Sequence, residues 1–132
     1  ILPLGSIPRW GNQPVKIEAP ALLDLEGIYS VSGTIGTRKY EGLVAIRRLG
    51  SVYAVKYLLP DLADGVGFQP EPDRFAMSWT SQTQKGMALG VTFFKVHPGP
   101  RLEGKWTSGP SGINVETLLF LRPFPKVGED DD

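Results

Sequence analysis

A chain of 132 residues with 41% hydrophobic, 10% aromatic and 21% charged residues has the make-up of one folded domain with room for one core. The formal net charge is +0, and setting aside the acidic run Glu129, Asp130, Asp131, Asp132 leaves a body too weakly basic to suit nucleic acid. No window is long and apolar enough to span a bilayer, and the absence of cysteine excludes disulfides, thiol chemistry and thiolate metal sites.

Residues 1–23 read as an extended arm. Pro3, Pro8, Pro14 and Pro20 block both helix and central strand. Between them lie Ile1, Leu2, Leu4, Ile7, Trp10, Val15 and Ile17, too apolar a set for a solvated tail. The arm is therefore expected to pack on the domain, on a protein partner or on a second copy of the chain. The chain starts at Ile1 without an initiator Met. That start is consistent with export followed by cleavage, and the compartment stays open.

Residues 24–122 read as the domain proper, with eight candidate strands at about 26–34, 38–48, 52–59, 65–69, 74–80, 88–96, 101–107 and 114–122. The first two connections, Gly36-Thr37 and Gly50-Ser51, place glycine first in a two-residue loop, as a type II′ hairpin requires. Taken so, they set Gly33 against Tyr40, Tyr29 against Val44, Arg48 against Tyr53 and Val44 against Tyr57. Residues opposite one another share a face, as do residues two apart. All four tyrosines, Tyr29, Tyr40, Tyr53 and Tyr57, then fall on one face, together with Arg48.

Pro60 to Asp64 is the one connection with room for a single helical turn. Strand 74–80 puts Phe75, Met77 and Trp79 on one side. The loop His97-Pro98-Gly99-Pro100, read as four residues, sets Phe93 against Gly104 and Val91 against Trp106, with Phe94 and Val96 outward. Leu25-Glu26-Gly27, Tyr40-Glu41-Gly42 and Leu102-Glu103-Gly104 repeat an apolar-Glu-Gly form whose glycine faces in, where a barrel coils. The last strand is apolar on both faces. Residues 123–132 read as a flexible acidic tail. Short connections join antiparallel neighbours in sequence order, so the fold class is all-β. It is a single antiparallel eight-stranded meander closed into an up-and-down barrel, with the Pro-rich arm in front.

Catalytic motifs are sparse. The single histidine, His97, sits in a Pro/Gly turn without a nucleophile or orienting acid in sequence reach, and reads as a solvent-exposed turn residue. Gly65-Val66-Gly67 lacks the spacing and the following helix of a phosphate loop. No residue cluster implies a metal or a cofactor. Glu116 is the carboxylate most embedded in apolar sequence. The preferred reading points it outward; facing inward, it needs a partner such as Arg48 or a tyrosine hydroxyl. The expected interior set is Tyr29, Tyr40, Tyr53, Tyr57, Phe75, Trp79, Phe93 and Trp106. Its tyrosine hydroxyls either reach the wet rims of a filled core or line a cavity.

Gly27-Ile28-Tyr29 opening the first strand, Leu102-Glu103-Gly104-Lys105-Trp106-Thr107 and the closing strand from Glu116 to Leu121 resemble calycin-like barrels, of which avidin-type and lipocalin-type proteins are members. The resemblance is architectural and covers about residues 25–122. The lipocalin Gly-x-Trp opening is Gly-x-Tyr here, and the biotin-contacting pattern of avidins has no match. What the resemblance implies is a barrel that holds a small, largely apolar molecule, with no particular ligand carried over.

Three functions follow in order of expectation. The first is a non-enzymatic barrel binding a small hydrophobic or aromatic ligand through Tyr29, Tyr40, Tyr53, Tyr57, Arg48, Trp79 and Trp106. The second is a structural or assembly module acting through residues 1–23 and the outer wall. The third is a small barrel isomerase or cyclase using tyrosines and an interior acid. Interior volume separates the first two, since a void of several hundred Å³ favours binding.

Overall fold

The structure, a computed structural model, describes residues 24–59, 62–110 and 112–124. The expected arm at residues 1–23 and all but the first two residues of the acidic tail lie outside the described residues. Eight strands follow in order: β1 Gly27–Ile35, β2 Arg38–Leu49, β3 Val52–Leu59, β4 Ala63–Glu71, β5 Arg74–Thr83, β6 Gly86–His97, β7 Arg101–Thr107 and β8 Asn114–Arg122. Each pairs antiparallel with its sequence neighbour, and β1 pairs β8, so the meander closes into a barrel with no free edge.

The glycine-led turns set the first half of this register. Gly36 and Gly50 have φ of +61° and +66°, while among the described residues no non-glycine residue has positive φ, which is the type II′ signature. The resulting pairs are the expected ones: Gly33 with Tyr40, Tyr29 with Val44, Arg48 with Tyr53 and Val44 with Tyr57. In the third connection, Ala63 and Asp64 belong to β4 rather than to a helical turn, and Pro60 and Asp61 lie outside the described residues.

The β6–β7 connection departs from expectation. His97 pairs Arg101, so the loop is the three residues Pro98-Gly99-Pro100 and not four. One residue fewer reverses the parity of β6. Phe94 faces Gly104, Thr92 faces Trp106 and Val96 faces Leu102. Phe94 and Val96 are therefore interior, while Phe93 and Val91 stand outside, 54% and 55% exposed. The same phase carries across β5, where Phe75 faces Phe94, Met77 faces Thr92 and Trp79 faces Gly90.

The barrel is not filled evenly from end to end. At the end that carries the β2–β3, β4–β5 and β6–β7 turns, Leu25 lies fully buried across the mouth. Its carbonyl accepts from the Tyr29 hydroxyl at 2.7 Å, and its amide donates to the Tyr53 oxygen at 3.2 Å. Beneath it pack Phe75 and Phe94, stacked with centroids 6.2 Å apart, and Tyr53 edge-on to Phe75. Leu102 and Leu118 complete this packed half, and Tyr29 meets Phe120 edge to face. Among the described residues, none closes the opposite end in this way.

Candidate functional site: the Tyr–Trp–Glu cup

At the open end, Ile35, Tyr40, Tyr57, Ala63, Trp79, Ser81, Thr92, Trp106 and Glu116 line a cup of about 120 Å³. Contrary to the outward reading, Glu116 points into it and is only 5% exposed. Parity explains the direction. Glu116 is in phase with Leu118 and Phe120 on β8, and its cross-strand neighbours are Gly104 on β7 and Gly33 on β1. Both lack side chains, so the carboxyl group sits between two gaps in the wall.

Gly33 also explains how Tyr40 reaches Glu116 from two strands away. It lies between the two in one cross-strand row, and a Cβ there would fall on the Tyr40 hydroxyl. With no Cβ in the way, the phenol lies across β1 and donates to Glu116 Oε1 at 2.5 Å. Tyr57 donates to Oε2 of the same carboxylate. Trp79 uses the same device: its indole covers Gly90 on β6, where a Cβ would enter the ring, and its N–H donates to Thr92 Oγ1 at 2.9 Å. Trp106 stands edge-on to Trp79 and to Tyr40, at 5.6 and 6.5 Å between centroids. Its indole N–H is buried and closes no hydrogen bond of normal geometry, although it lies near enough to the Tyr40 oxygen to offset a little of that phenol's upward pKa shift.

The electrostatics follow from burial. Desolvation raises the Glu116 pKa above its ordinary 4.5, and the Tyr40 and Tyr57 hydroxyls pull it down by less. The Tyr40 and Tyr57 pKa values are pushed far up, first by burial and then by the Glu116 charge beside them. Among the described residues lining the cup none is cationic, so no Lys, Arg or His offsets Glu116. Chemically the cup offers one acid poised to hold or release a proton, the lone pairs of its acceptors and several aromatic rings.

The expected site residues divide. Tyr40, Tyr57, Trp79 and Trp106 come together in the cup. Tyr29 and Tyr53 face inward as their register requires, but they clamp Leu25 in the packed half. Arg48 is exposed at that same far end, its Nε on the Gly50 carbonyl at 3.3 Å and its amide donating to Glu26. It does not reach Glu116. Thr92 entered the cup through the reversed phase of β6, and the glycines on either side of Glu116 were the sequence signal for its direction.

No protein-family model, curated protein or solved structure matches this chain. The closed eight-stranded up-and-down barrel is consistent with a calycin-like architecture. Among the described residues, no group of three His, Asp or Glu side chains is placed to hold a metal ion.

Larger concavities lie outside the barrel. On β5 the outward residues Ala76, Ser78 and Thr80 are small. They are flanked by Phe68 and Val66 on β4 and by Phe93, Val91 and Leu89 on β6. The result is an apolar furrow along the outer wall. Its flanking side chains are about half exposed or more.

Proposed function

We propose that this protein is a non-enzymatic binding barrel that holds one small, largely apolar or aromatic molecule at its open end. The observation that carries the reading is the contrast between the two halves. One is packed and sealed by Leu25, whereas the other keeps a concave space walled by two indoles and two phenols. The cup is smaller than the several hundred Å³ that a drug-sized ligand needs. Its volume suits a compound of about benzene size, which fits an apolar cavity of roughly 150 Å³. Tyr40, Tyr57, Trp79 and Trp106 orient the molecule; Tyr29, Tyr53 and Arg48 have no part in it. Tryptophan fluorescence, titrated with a series of small aromatic and branched aliphatic compounds, tests this. Saturable binding by one or more members is expected, and it disappears in Ala63→Trp, which closes the rim. Uniformly linear, non-saturating responses sink the reading.

The structural-module reading is favoured by a different observation, the apolar furrow between β4 and β6. An apolar arm or a partner surface has a place to lie there without occupying the cup. Removing residues 1–23 and measuring mass and stability in solution separates the cases. An unchanged monomer of unchanged stability counts against the module. The isomerase or cyclase reading requires an acid beside a tyrosine inside the barrel, which Glu116 supplies. It ranks third because both carboxylate oxygens already accept from tyrosine hydroxyls, so taking a substrate proton means displacing one of those bonds.

A further inference from the structure

We infer that the molecule held in the cup is a small organic cation, a methylated ammonium or comparable amine, with Glu116 as its counter-ion and the surrounding aromatic rings as its walls. The inference rests on the reading of the cup as a binding site and names the ligand's charge and shape.

Charge is the first argument. Glu116 is buried in a lining with no cationic side chain among the described residues. Arg38 shares the Tyr40 face of β2 at the rim, yet it is exposed and forms no ion pair with Glu116. A pocket meant for a neutral apolar molecule gains nothing from a buried carboxylate. An amide or a leucine there avoids the desolvation cost. An anionic ligand would be repelled. A cation resolves the cost directly, because it supplies the charge that the protein withholds.

Hydrogen bonding is the second. The Tyr40 and Tyr57 hydroxyl protons are committed to Glu116, the Ser81 hydroxyl to the Leu62 carbonyl and the Trp79 N–H to Thr92. Toward the space these groups leave mostly lone pairs, with the Trp106 N–H as a remaining unpaired donor. Such a lining suits a ligand that donates, or one that carries positive charge without needing acceptors of its own.

The aromatic walls are the third. Trp79 and Trp106 cross at 70° and Trp106 and Tyr40 at 61°, so the rings form corners rather than one flat wall. Ring faces carry partial negative charge, and several of them around a methylated ammonium, combined with a carboxylate, make an aromatic cage. The volume of about 120 Å³ suits a group the size of trimethylammonium and leaves the rest of a longer molecule outside.

The test uses the intact chain at low ionic strength and slightly alkaline pH, where screening is weak and Glu116 is more fully ionised. Choline chloride and its neutral carbon isostere 3,3-dimethylbutan-1-ol are titrated by calorimetry, and the choline methyl resonance is followed by proton NMR. Choline is expected to bind saturably, roughly tenfold or more tighter than the isostere, with its methyl signal shifted upfield by the indole rings. Glu116→Gln is expected to shrink the ratio of choline to isostere affinity markedly, leaving only the share that the aromatic rings supply. Equal binding of the two compounds by the wild-type protein overturns the cation inference and leaves the binding reading standing. Failure of both compounds, together with failure of the neutral series above, removes both. The wild-type comparison decides the matter even if the Gln variant does not fold.

Discussion

At the scale of single residues, Glu116 and the glycines around it determine what the open end can do. Because burial raises the Glu116 pKa, the unfolded chain ionises before the folded one as pH rises. A carboxyl group raised in the folded state contributes stability below its unfolded pKa of 4.5, and this contribution is lost as pH climbs through the folded value. Glu116→Gln removes that titration. Urea denaturation at a series of pH values is therefore expected to show wild type losing stability relative to Glu116→Gln as pH rises from 4.5. The gap levels off once the buried carboxyl is ionised, and a constant gap throughout contradicts the burial argument. Gly90 allows a second test with opposed signs. A strand glycine replaced by alanine ordinarily gains about 0.5–1 kcal/mol from reduced backbone freedom. The Trp79 indole occupies the position of that Cβ, so Gly90→Ala must overpack the wall. It is expected to lose about 1–3 kcal/mol in chemical denaturation and to perturb Trp79 fluorescence.

At the scale of elements, legibility depended on whether a turn declares its own length. Gly36 and Gly50 do so, since glycine at the first central position with positive φ specifies a two-residue hairpin and hence the parity of both strands. From them the inward direction of Tyr29, Tyr40, Tyr53 and Tyr57 could be read, and the meander followed from the shortness of every connection. Pro98-Gly99-Pro100 declares nothing of the kind. Those residues suit a loop of three or of four, and β6 is apolar on both faces, with Phe93 beside Phe94 and Val91 near Val96, so its pattern cannot arbitrate. β8 is ambiguous for the same reason, and for Glu116 only the rarity of buried carboxylates favours the outward direction. The cup is thus partly legible: Tyr40, Tyr57, Trp79 and Trp106 face in as the sequence predicts, Thr92 and Glu116 face in against it, and Ile35, Ala63 and Ser81 lie beyond the expected strand ends. The phase of β6 is open to direct measurement. Phe94→Ala, in the stacked pair with Phe75, is expected to cost about 3–5 kcal/mol. Phe93→Ala, on the half-exposed furrow wall, is expected to stay within about 0.5 kcal/mol. Reversed magnitudes in equilibrium unfolding restore the four-residue loop.

At the scale of the whole molecule, each half of the barrel is held by its own pair of tyrosines. Two of them clamp Leu25 in the packed half and two hold Glu116 in the open one, and these are all the tyrosines the chain has. Their environments differ, yet the direction of the pKa shift is common. Burial is the largest cause at every one, with Asp24 adding to it at Tyr29 and Tyr53 and Glu116 adding to it at Tyr40 and Tyr57. Each phenol in the folded barrel is therefore held above its ordinary 10.0, while in the unfolded chain it ionises there. The sign of the linkage is the same as for Glu116: the stabilising contribution is complete below pH 10 and falls away above it. Ionising any of these phenols within the folded barrel is disfavoured, so high pH favours the unfolded chain. The near-ultraviolet phenolate absorbance is expected to remain flat through pH 10 and then to rise in one step. That step should coincide with loss of the far-ultraviolet β signal. A reversible component near pH 10 with the barrel still folded would mean that at least one hydroxyl is solvated. If Tyr40→Phe or Tyr57→Phe then removes that component, the solvated phenol lies in the cup and the hydrogen-bonded Glu116 clamp fails. If Tyr53→Phe removes it, the seal over Leu25 is open instead and both ends of the barrel are accessible.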